Sequence, residues 1–168
     1  MGQGDPRPSG GFKEVRTQAF TVGHPQNWET FGDQGGAMLT IAPRSGLVQD
    51  RNGGVAVGYG AMLSFYTPQN QGTLAQETQG LISQLRQANQ AMQSGGRQQR
   101  TKIDNSNALV TTLYNQSPLG GGREVDMLVT VERPEGLFYM VFIAPEGDFQ
   151  NLQGTFEQML RSVRFSNR

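Results

Sequence analysis

One hairpin, with the helix that follows it, limits what the rest of this chain can fold into. Val125, Met127, Val129 and Val131 alternate with polar neighbours, the period of a strand. Arg133-Pro134-Glu135-Gly136 follows, with Pro and Gly where a type I turn prefers them. Leu137 to Ala144 is then apolar at nearly every position. A strand apolar on both faces has to be covered on both faces, so this one belongs in the middle of its sheet. Asp148 opens a predicted helix whose Phe149, Leu152, Phe156, Met159, Leu160 and Val163 recur at helical spacing. The fold class that follows is α+β, an antiparallel β-sheet sandwiched between helices.

The remaining segments can be fitted around that hairpin. Met1 to Gly11 carries Gly, Pro, Ser and charge with nothing apolar after Met1, so residues 1–12 read as a flexible linker or disordered lead and 13–168 as a single domain. Short strands are predicted at Ala19–Val22, Trp28–Phe31 and Ala37–Ala42, with turns at His24-Pro25-Gln26-Asn27 and Gly35-Gly36. Arg44–Gly54 reads as a loop. Val55–Tyr66 reads as one long strand whose Ala56, Gly58 and Gly60 lie on a small-residue face that another backbone could approach. Thr73 and Gln76 have the spacing of a capping box, opening a helix with Leu74, Leu81, Ile82, Leu85, Ala88 and Met92 on one stripe and ending at Ser94-Gly95-Gly96. Gly80 inside it suggests close packing at that point. Gln99–Ile103 and Ala108–Tyr114 form a second hairpin through Asp104-Asn105-Ser106-Asn107, and Ser117–Gly122 is a glycine-rich loop.

Reactive side chains are scarce. The chain has one histidine, His24, and no cysteine, which excludes a two-histidine zinc motif, thiolate metal sites and disulfides. No Gly-x-Ser-x-Gly elbow and no Walker lysine motif occurs. Gly58-Tyr59-Gly60 lacks the third glycine of a dinucleotide loop, and Asp50-Arg51-Asn52-Gly53 starts a calcium-loop pattern that Gly54 and Ala61 break. No two acids fall at a spacing that assigns them to a common pocket. Fourteen basic residues balance fourteen acidic ones, so no basic field recruits nucleic acid, and no apolar run has the length of a membrane span. The expectation is a non-catalytic protein with no metal and no cofactor. Trp28 and Tyr66, near predicted strand ends, and His24 at the turn are the candidate binding surface. Trp28→Ala is accordingly expected to weaken capture of a partner more than it lowers stability.

Phe20-Thr21-Val22, His24-Pro25 and Asn27-Trp28 resemble the opening of PsbP-like domains. Phe138-Tyr139-Met140, Ala144-Pro145-Glu146, Phe156, Leu160 and Arg161-Ser162-Val163-Arg164-Phe165 resemble their ending. More narrowly, the same residues resemble the C-terminal accessory domain of bacterial HtpX/BepA-type zinc metallopeptidases. The resemblance implies a PsbP-like α/β/α sandwich and a periplasmic or cell-envelope setting. It implies a binding or regulatory module, partnered by another protein or by a protease domain in cis, with no protease residue of its own. The alternative it implies is a stand-alone assembly or structural factor that binds a larger complex.

Overall fold

The computed structural model describes residues 7–32, 38–49, 55–69, 71–119 and 122–166. Among these residues twelve strands, two α-helices and one turn of 3-10 helix (Arg44–Gly46) are assigned, in chain order β1 Phe12–Arg16, β2 Phe20–Pro25, β3 Glu29–Phe31, β4 Met38–Ala42, β5 Leu47–Gln49, β6 Val55–Val57, β7 Gly60–Tyr66, α1 Leu74–Ala88, β8 Gln93–Ile103, β9 Ser106–Gln116, β10 Arg123–Arg133, β11 Gly136–Pro145, α2 Glu146–Ser162 and β12 Arg164–Phe165. A seven-stranded antiparallel sheet runs β3-β4-β7-β11-β10-β9-β8. The apolar strand β11 is its central member, as its two-sided hydrophobicity requires.

Alternation along β11 divides the core in two. Phe138, Met140, Phe142 and Ala144 face α2 and a small sheet of β1, β2 and β12, while Leu137, Val141 and Ile143 face α1. On the α2 side Phe138 packs edge-on against Phe20, Phe65 and Phe165, at ring-centre distances of 5.1, 5.4 and 5.0 Å. On the other side Leu81 and Ile82 of α1 are buried against the sheet, and Thr78 Oγ1 shares a 2.7 Å hydrogen bond with Thr130 Oγ1 of β10. The expected capping box is present: Thr73 Oγ1 accepts from the Gln76 N–H, and the Thr73 N–H donates to Gln76 Oε1. Gly80 meets the Tyr66 hydroxyl, which lies 3.1 Å from where a Cβ would stand. That accounts for a glycine inside the helix.

Four expectations need correction. Helix α1 stops at Ala88, where the Asn89 side chain donates to the Leu85 carbonyl oxygen, and Gln93 already begins β8. Helix α2 begins at Glu146, two residues before the expected Asp148. Strands β1 and β5 occupy segments with too few apolar residues to announce them. Finally, Val55–Tyr66 is two strands. The chain bends at Gly58-Tyr59, so that β6 pairs with β5 and the Tyr59 ring turns into the core beside Trp28, 5.9 Å between centres. Gly60 makes the bend possible: its φ is +150°, and a Cβ there would lie 2.6 Å from the Ile41 carbonyl oxygen. Gly60→Ala is therefore expected to cost at least about 1–3 kcal/mol. An unchanged denaturation midpoint for that variant would contradict this account of the break.

The expected lead at 1–12 falls partly outside the described residues (1–6), as do the expected turn at Gly35-Gly36 and the interrupted calcium pattern beginning at Asp50. Within the described part, the Ser9 N–H donates to Asn27 Oδ1, the Asn27 side chain donates to the Arg7 carbonyl, and Phe12 is already in β1.

Candidate functional site

Helix α1 is too short to cover the whole of its sheet face. It lies over β9 and β10 near Leu113, Leu128 and Thr130 and leaves the other end of that face open. The floor of that opening follows from register. Thr40 pairs with Met62 and Met62 with Val141; Ile143 pairs with Asp126 and Asp126 with Leu113; Glu124 pairs with Asn115. Because every pairing is antiparallel and in register, these side chains share one face. Walls rise on both sides: Leu47, Ala56 and Val57 from the β5–β6 hairpin, and Leu85 with Asn89–Met92 from the end of α1. The result is a cavity of about 1360 Å³, mainly apolar, with carboxamides of Asn89, Gln90, Asn115 and Gln116 among its polar groups. Met38, the large apolar side chain most open to solvent among the described residues at 49%, is also part of its lining.

Two acids stand in this apolar floor. Glu124 and Asp126 are two residues apart on β10, hence on the same face, and are only 4% and 2% exposed. Their carboxyl groups influence each other's ionisation. Glu124 Oε1 and Asp126 Oδ1 nevertheless have no hydrogen-bond partner among the described residues. Burial, followed by the hydrogen bond and charge of Asp126, pushes the Glu124 carboxyl up to about 10. Burial likewise raises Asp126, against the opposing effect of its hydrogen bond with Glu124. Among the described residues no Lys, Arg or His lines the cavity. The neighbouring Arg123 points to the opposite face, where it pairs with Glu146 and lies over the Tyr114 ring. Burial therefore favours the protonated form of both acids. What the pair offers is hydrogen bonding inside a greasy pocket. Among the described residues no three His, Asp or Glu side chains converge on a metal position.

The residues expected to form a binding surface are not together. Trp28 has no exposed area and packs edge-on against Tyr59 and Phe156. His24 is 1% exposed, its Nδ1–H donating to the Pro25 carbonyl oxygen at 2.9 Å. Burial, with a smaller contribution from the charge of Lys13, lowers its pKa against the opposing pull of that hydrogen bond. Both belong to the α2-side core, because β2 runs beneath α2 and the turn after it folds Trp28 inward; as they stand they present no surface to a partner. Tyr66 is half-buried on the opposite face beside Gly80, bordering a shallow polar hollow with Gln76 and Glu77. The acid pair went unrecognised because acids at alternate positions on a strand ordinarily face water. The available signal was β11: a neighbour of a strand covered on both faces is itself covered on both.

No protein-family model matches this sequence, and no curated protein does. Solved structures do match. Over 98% of each chain the fold is similar to that of CyanoP, the PsbP of the cyanobacterium Synechocystis, with a TM-score of 0.65 at 11% identity. The fold is PsbP-like. Other solved structures are also similar: PA94 of Pseudomonas aeruginosa, a protein of unknown function (TM-score 0.53, 12% identity, 91% of this chain and 96% of that one), and LpqN of Mycobacterium tuberculosis, involved in cell envelope biogenesis (0.53, 14%, 92% and 90%). At such identities the likeness is one of fold. Nothing among these matches points to a metallopeptidase accessory domain. No helix among the described residues is long and apolar enough to cross a membrane.

Proposed function

We propose that this PsbP-like chain is a non-catalytic binding module that takes an apolar ligand into the cavity beside α1 and serves as an assembly or structural factor within a larger envelope complex. One observation carries the reading: a large apolar cavity with unpartnered polar atoms in its floor, on the one sheet face that its helix leaves open. The fold shared with CyanoP, and with a cell-envelope protein in LpqN, favours the assembly reading over the protease accessory domain. A neutral probe tests it. Decanol titrated into the protein is expected to shift the methyl resonances of Leu113, Val141 and Ile143 saturably. Ala56→Trp, which fills the cavity from its wall, is expected to abolish those shifts while leaving the α2-side resonances in place. Shifts spread over both faces, or none at all, would contradict it.

A further inference from the structure

The acids in the cavity floor say more about the occupant than the apolar walls do. Glu124 Oε1 and Asp126 Oδ1 are buried, lack a partner among the described residues and belong to the cavity lining. An unmet buried polar atom is costly, so a ligand that supplies hydrogen bonds there gains more than one that supplies only apolar contact. The question is which complementary group the site lacks. Around the pair, β9 contributes Leu113 and Asn115, β11 contributes Ile143 and Pro145, and the end of α1 contributes Leu85 and Asn89. Tyr139 is the one further ionisable group in the lining among the described residues. Among the described residues no cation lines the cavity with these carboxyls, and an anionic head group would meet acids and amides there. The missing complement is a positive charge with several N–H donors.

Resting on the binding reading above, we propose that the cavity binds an amine-headed amphiphile, its alkyl body on Met62, Val141 and Ile143 and its ammonium donating to Glu124 Oε1 and Asp126 Oδ1. Burial favours the protonated form of both acids in the free protein. In the complex one carboxylate of the pair balances one ammonium. Binding therefore draws protons from the pair to solvent, and affinity should rise with pH, by up to about tenfold per unit, over the range where the amine stays charged.

Calorimetry with decylamine, decanol and decanoate, in buffers of differing ionisation heat, tests this on the whole chain. Decylamine is expected to bind at least about tenfold more tightly than decanol at pH 8, to release protons on binding, and to outcompete decanoate at every pH. Glu124→Gln combined with Asp126→Asn should bring decylamine down to the affinity of decanol without lowering the melting temperature. If decanol binds as tightly as decylamine and no proton is released, the amine inference fails and the apolar cavity reading stands. If no probe binds, both fail. An amine preference that survives the double variant would place the head group elsewhere and overturn the assignment.

Discussion

Trp28→Ala is expected to destabilise the protein by about 3–5 kcal/mol, the range for removing a large aromatic side chain from a closed core. The indole has no exposed area and packs against Tyr59 and Phe156. Phe156 in turn lies 4.8 Å from Phe142 and 5.5 Å from Phe149 between ring centres, so truncation leaves a hole where α2 meets the central strand. This reverses the expectation drawn from the sequence, which set Trp28 at a strand end facing a partner. Chemical denaturation of the variant decides between them. A loss under about 1 kcal/mol, within the range of ordinary surface substitutions, would return Trp28 to the surface.

Stability should also fall as pH rises above neutrality, unusually for a protein with as many acids as bases. The folded Glu124 carboxyl is raised to about 10, against 4.5 unperturbed, and Asp126 is raised as well. An acid whose folded pKa lies above its unfolded value stabilises the native state fully below the unfolded value. That contribution is lost as pH climbs towards the folded one. The slope is up to about 1.4 kcal/mol per pH unit for each proton that the folded chain holds and the unfolded chain has released. His24 works in the opposite sense: its lowered folded pKa means that stability is lost as pH falls below about 6.5. Between pH 7 and 9 His24 is neutral in both states, so the acid pair governs that window. Melting temperature should drop steadily across it in the wild type. Glu124→Gln, which mimics the protonated acid, should flatten the fall and melt higher than wild type at pH 9. A wild-type curve that is flat or rising from pH 7 to 9 would mean that the pair is ionised or solvated.

Much of the architecture was legible because hydrophobic period and turn chemistry agree locally. The β10–β11 hairpin, its central place, the Thr73 cap and the apolar stripe of α2 all rest on residues whose neighbours reinforce them. The β8–β9 turn was narrowed but not resolved. Asp104 and Asn105, both at positive φ, make it a two-residue connection where a longer one was expected. What stayed hidden depends on distant parts of the chain. The bend at Gly58-Tyr59 is set by the Trp28 side of the core and by the Ile41 backbone, neither of which is near it in sequence. The cavity is harder still to read, since it arises from α1 ending at Ala88 while the sheet continues. Glu124 and Asp126 look like solvent-facing residues until the strands on either side bury them. Their importance lies in burial, and burial is a property of the whole fold.

The account turns on the protonation of those two carboxyls. Carbon-detected NMR of selectively labelled Glu and Asp, assigned with Glu124→Gln and Asp126→Asn, reads it directly. In the free protein at pH 7 the Glu124 carboxyl carbon is expected at the neutral-acid position, with carboxylate character in the pair rising when decylamine is added. Both carbons at carboxylate positions in the free protein at pH 7 would contradict the account.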